Sequence, residues 1–126
     1  MSVGVTRDVA VTELPIRGIA INSATSTTNT FTLVGSDSGI IFVNKDGTAT
    51  QYNLPAVAEG AGKMFWFFAG YAANIVVYGP AASTIYGDGS LGRTLTGTGA
   101  IGLSCMVIGD GDYYYAFEIY GTWNTT

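Results

Sequence analysis

Tyr52-Asn53-Leu54-Pro55-Ala56-Val57-Ala58-Glu59-Gly60-Ala61-Gly62-Lys63-Met64-Phe65-Trp66-Phe67-Phe68-Ala69 decides the fold class. It reads as a polar-alternating strand that stops at Leu54-Pro55, a turn of small residues over 56–62, and an almost wholly apolar strand over 64–69. Side chains alternate along a strand, so Met64, Trp66 and Phe68 share one face and Phe65, Phe67 and Ala69 the other. A half-covered strand would carry polar residues on one of those faces. Neither face does. Each large ring buries roughly 150–250 Å², worth several kcal/mol at about 25 cal/mol per Å². Two readings stand: a central strand inside one sandwich, or a strand whose second face is covered by another subunit.

The rest of the chain is built in the same way. Residues 17–22, 30–34, 40–43, 48–54, 74–78, 83–86, 100–108 and 113–120 read as short strands. Gly-rich turns recur about every ten residues, which points to a sandwich, jelly roll or small barrel. Asn44-Lys45-Asp46-Gly47 and Gly109-Asp110-Gly111-Asp112 read as hairpin turns. No repeat period marks a solenoid. The expectation is an all-β, antiparallel sandwich or jelly-roll-like single domain over residues 17–126, with an extended N-terminal arm over residues 1–16. In that arm Val3, Val5, Val9 and Val11 alternate with polar neighbours, while Arg7-Asp8 and Glu13 interrupt any core face. The pattern suits pairing with the edge of a neighbouring subunit, and equally a frayed terminus or an ordinary edge strand.

Composition narrows the function. The chain has 126 residues, of which 48% are hydrophobic and 11% charged, with a net charge of −4. Its five basic residues are scattered (Arg7, Arg17, Lys45, Lys63, Arg93), and a phosphate backbone is held by clustered ones, so no nucleic-acid partner is expected. The charge-free run over 64–87 is long enough to span a bilayer, but Gly70, Asn74, Gly79 and Pro80 cut it into strands, so no membrane span is expected. There is no His, and hence no Ser-His or Cys-His pair and no imidazole ligand. Cys105 lies in an apolar run and reads as a small buried hydrophobe. The acidic residues Asp46, Asp88, Asp110 and Asp112 sit beside Gly, as turn chemistry asks. Asp110 and Asp112, with Asp88, also have the oxygen chemistry of a Ca²⁺ site, short of a full loop motif. Neither catalysis nor a cofactor is expected. Tyr113-Tyr114-Tyr115 reads as core plus interface, with a carbohydrate platform as the alternative.

The order Asp37-Ser38-Gly39, Asn44, Tyr52-Asn53-Leu54-Pro55, a small-residue turn, an aromatic strand, Asn74-Ile75-Val76-Val77 and Thr84-Ile85-Tyr86-Gly87 resembles β-rich virion domains of tailed bacteriophages. Such domains occur in head decoration (cement) proteins and in tail-fibre modules. The similarity covers roughly residues 35–123 and leaves the first 34 outside. It implies a non-enzymatic structural protein on the outer capsid surface of the virion, made in the host cytoplasm. The protein would be a homotrimer that bridges neighbouring major capsid proteins. The alternative it implies is a tail-fibre or receptor-binding module that recognises host glycans. The residues expected at a subunit or capsid interface are Val3, Val5, Val9, Val11, Phe65, Phe67, Tyr114, Tyr120 and Trp123.

Overall fold

Alternation of apolar and polar residues sets the strands, and the arcs between them set the path. The computed structural model describes residues 16–23 and 29–126. They form twelve strands: β1 Gly18–Asn22, β2 Asn29–Thr32, β3 Ile40–Asn44, β4 Thr50–Asn53, β5 Met64–Ala69, β6 Ile75–Tyr78, β7 Ile85–Gly87, β8 Ser90–Gly92, β9 Thr94–Gly97, β10 Ser104–Gly109, β11 Tyr114–Tyr120 and β12 Trp123–Thr125. They build a seven-stranded sheet, β1-β3-β5-β10-β11-β7-β8, and a five-stranded sheet, β12-β9-β6-β4-β2. The all-β expectation therefore holds.

The path corrects the expected antiparallel design. From β1 to β6 the chain alternates between the two sheets, and each strand lies parallel to the one a coil earlier: β1 on β3, β3 on β5, β2 on β4 and β4 on β6. This is a solenoid-like arrangement of three coils. Its steps are unequal. Gly18 lies opposite Ile40, a step of 22 residues, and Ile41 opposite Trp66, a step of 25. Antiparallel strands then flank the last coil, β10 on β5 and β9 on β6; β12 completes the smaller sheet, and β11, then β7 parallel to it, then β8 complete the larger one.

The expected hairpin at 44–47 is instead an arc that carries the chain from one sheet to the other. Its cause is the buried Asn44 side chain. Asn44 Oδ1 accepts the Asp46 N–H (3.0 Å), while its Nδ2 donates to the carbonyls of Asp46 and Thr48 (3.2 and 3.3 Å). Asn22, one coil earlier, donates to Asn44 Oδ1 at 3.1 Å, and Asn29 donates to the Asp46 carboxylate at 2.5 Å. These interior polar atoms have partners, which is the condition for burying them. The expected hairpin at 109–112 does form, between antiparallel β10 and β11.

Phe42, Tyr52, Phe65, Phe67, Ile75, Val77, Leu95, Leu103, Cys105, Val107, Tyr114 and Trp123 fill the space between the sheets. The small-residue turn of 56–62 docks on this core through Tyr114, whose hydroxyl donates to the Pro55 carbonyl at 2.7 Å. Gly60 is needed there because a Cβ would stand 2.2 Å from that hydroxyl oxygen. Tyr52 Oη is buried and has no hydrogen-bond partner among the described residues. An unmatched buried hydroxyl costs about 1–3 kcal/mol, so Tyr52→Phe is expected to raise stability by about 1 kcal/mol in urea denaturation.

The same buried groups give a pH dependence. Burial pushes Tyr52 up to about 12 from 10.0. Burial also raises Tyr114, with the charge of Glu59 adding, and raises the Cys105 thiol, with Glu118 adding. Each group is neutral when folded and ionises more readily when unfolded, so the native state holds the extra protons in alkali. Stability from these groups is complete below about pH 8. It starts to fall as the unfolded thiol ionises near 9.0, and falls further as the unfolded tyrosines ionise near 10.0 and pH rises through the folded values. Melting temperatures measured from pH 8 to 11.5 are expected to drop steadily above about pH 9.5, and less steeply in Tyr52→Phe.

Candidate interaction surface

The two sheets differ on their outer faces. On the five-stranded sheet the register sets Thr30, Gln51, Val76, Thr96 and Asn124 in one row and Thr32, Asn53, Tyr78 and Thr94 in the next. Arg93 lies over the Tyr78 ring at 4.4 Å. This is an ordinary solvent face, polar and capped by a cation on an aromatic ring.

The outer face of the seven-stranded sheet is apolar from β1 to β8. One row is Ile19, Ile41, Trp66, Met106 and Phe117. A second is Ile21, Val43, Phe68, Ser104 and Tyr120. The third is Met64, Ile108, Tyr115, Tyr86 and Leu91. No charged side chain stands in any row. Ile19 is 64% exposed, Phe117 51% and Tyr120 59%. Five strands about 4.8 Å apart and three rows about 6.8 Å apart give a footprint of roughly 500 Å², the size of the largest apolar patch found on a monomer.

This arrangement resolves which face of the aromatic strand turns outward. Phe65 and Phe67 point into the core and are 0% and 1% exposed; Met64, Trp66 and Phe68 point out. Tyr114 and Trp123 are also in the core. Of the residues expected at an interface, Phe65, Phe67, Tyr114 and Trp123 lie in the chain's own interior and Tyr120 lies on the outer face. Val3, Val5, Val9 and Val11 lie outside the described residues. Trp66, Met106, Phe117, Ile19 and Ile21 were not anticipated as surface. Strand parity alone cannot say which face is inward when both are apolar.

The tyrosine triplet is split by the same parity. Tyr113 and Tyr115 gather around Tyr86, with ring centroids 5.0 and 5.6 Å away, the latter pair nearly parallel at 7°. Beside them a cleft of about 420 Å³ is lined by Tyr86, Ser90, Leu91, Tyr115 and Phe117, among others. The Tyr115 hydroxyl donates to Asp110 Oδ2 at 2.6 Å, and Asp110 Oδ1 accepts the N–H groups of Asp112 and Tyr113 at 2.8 Å each. The Tyr115 hydrogen bond, foremost, holds Asp110 below the usual carboxylate range, and the same bond pushes Tyr115 up to about 12. Both oxygens of Asp110 are thus engaged in shaping the turn and fixing a ring. Among the described residues no three of Asp, Glu, Cys or His gather in a metal-binding group, and no helix is long and apolar enough to cross a membrane. The charge-free run of 64–87 forms β5, β6 and β7.

No protein-family model, curated protein or solved structure matches this chain.

Proposed function

We propose that this chain is a non-enzymatic structural protein that joins other subunits through the outer face of its seven-stranded sheet. The observation that carries the reading is the charge-free apolar face of three rows, set against the polar face of the other sheet. About 500 Å² per partner gives roughly 1,000 Å² in a two-sided contact, the lower bound for a specific interface. Its aromatic and Met side chains are those that interface centres favour. The resemblance over residues 35–123 supplies the setting: the outer surface of a tailed-phage head, with the chain as a decoration protein, a homotrimer bridging major capsid proteins. Multivalency would let three modest contacts add through effective concentration.

The test is co-sedimentation of purified protein with undecorated heads, alongside a glycan-binding screen. Pelleting with heads and no glycan signal supports the decoration reading. The tail-fibre reading has one observation in its favour, the tyrosine cleft beside Asp110, since stacked rings and a fixed hydroxyl suit a sugar. Glycan binding without head binding, lost in Tyr86→Ala, would replace the first reading with the second.

A further inference from the structure

The two sides of β11 are paired unevenly. β10 lies along it from Tyr114 to Tyr120, but on the other side β7 reaches only Tyr114 and Tyr115. β7 then turns back into β8, so among the described residues 116–120 form a free edge. The Tyr114 N–H donates to the Thr84 carbonyl at 2.8 Å, on the β7 side. Peptide groups point the same way at every second residue, so the Ala116 carbonyl and the N–H and carbonyl of Glu118 face that free side. Phe117, Ile119 and Tyr120 are apolar and exposed. The cleft of about 420 Å³ opens where β7 leaves β11, with Gly87 and Ala116 also in its lining.

An exposed apolar edge recruits further strands, and inward charges and bulges restrict which ones. Both devices are present. Glu118 stands opposite Cys105, on the inner side of the sheet, and is exposed; the register shifts between Ser104 and Cys105. Two copies paired about a two-fold axis along 116–120 would set Glu118 against Glu118, and like charges directly opposite repel. The same carboxylate favours a strand that brings a cation to that position. Neither β11 nor its neighbours β7 and β10 hold a Lys or Arg to neutralise it.

We propose that residues 116–120 bind an extended segment of another protein by strand addition, and that this segment carries a Lys or Arg between two apolar residues. Its backbone takes up the Ala116 carbonyl and the peptide groups of Glu118, the main-chain bonding on which strand addition rests. Its basic residue lies beside the Glu118 carboxylate. Its apolar neighbours lie on the side of Phe117, one of them at the mouth of the cleft. The site stands whether or not the three apolar rows are themselves an interface.

Two capped peptides, Val-Thr-Val-Lys-Val-Thr-Val and the same sequence with Glu at its centre, test this on the full-length chain. Binding is followed by fluorescence anisotropy, and the edge by hydrogen exchange of the Glu118 amide. The Lys peptide is expected to bind about fivefold tighter than the Glu peptide at low salt, with the difference shrinking at high salt. It is also expected to slow exchange of the Glu118 N–H. Glu118→Lys, a change at an exposed position, is expected to reverse the order of the two peptides. Equal binding of both peptides, binding of neither, or binding that leaves Glu118 exchange unchanged overturns the proposal. So does Glu118 protection that builds with protein concentration in the absence of peptide, because the added strand then comes from a second copy.

Discussion

Phe67→Ala is expected to cost about 3–5 kcal/mol of folding stability, and Phe68→Ala, one residue along, less than about 1 kcal/mol. Phe67 packs between Phe42 and Tyr52, with ring centroids 5.9 and 4.9 Å away, and lies opposite Cys105 on β10. Removing its ring leaves a cavity where both sheets meet, and a domain has only about 5–15 kcal/mol in total. Phe68 points out of the same strand and is 41% exposed. Urea denaturation of dilute protein, followed by the fluorescence of Trp66 and Trp123, separates the two. Equal losses at both positions would mean that the strand is covered on both sides within one chain.

Met106→Glu is expected to weaken assembly by about a hundredfold or more while leaving the dilute chain folded. Met106 stands in register between Trp66 and Phe117, at the middle of the apolar face. A carboxylate placed there meets no partner cation in any of the three rows, and burying an unpaired charge costs about 3–5 kcal/mol. In the free chain the position is half-exposed, so the carboxylate keeps its water and the melting temperature shifts little. Sedimentation velocity and thermal melting, measured on the same samples, give the two readouts. A variant that assembles like wild type would remove this face from the interface.

Strand existence and the all-β class were legible because alternation is local. Thr50, Tyr52 and Leu54 fall on one face in the sequence and are buried together in the structure. The coil path was not legible, because it depends on which strand a segment meets next. The steps of 21 to 25 residues blur any repeat, and Asn44-Lys45-Asp46-Gly47 has the composition of a hairpin turn. One signal was present: Gly18-Ile19-Ala20-Ile21-Asn22 and Ile40-Ile41-Phe42-Val43-Asn44 both end in the asparagines that bond to each other. The outer face was half legible. The sequence shows that strand 64–69 is apolar on both sides, but which side is inward is set by Phe42, Tyr52 and Cys105 on other strands. Tyr113-Tyr114-Tyr115 divides for the same reason, since Tyr114 alone is claimed by the Pro55 carbonyl.

Oxidative footprinting of the dilute chain against the head-bound protein tests the central claim most directly, because it reads the apolar face residue by residue. The account predicts that Trp66, Met106 and Phe117 lose reactivity on assembly. Tyr71 and Ile101, exposed at 52% and 69% away from the three rows, are expected to keep theirs. Unchanged labelling of Trp66, Met106 and Phe117 in the bound protein would contradict it.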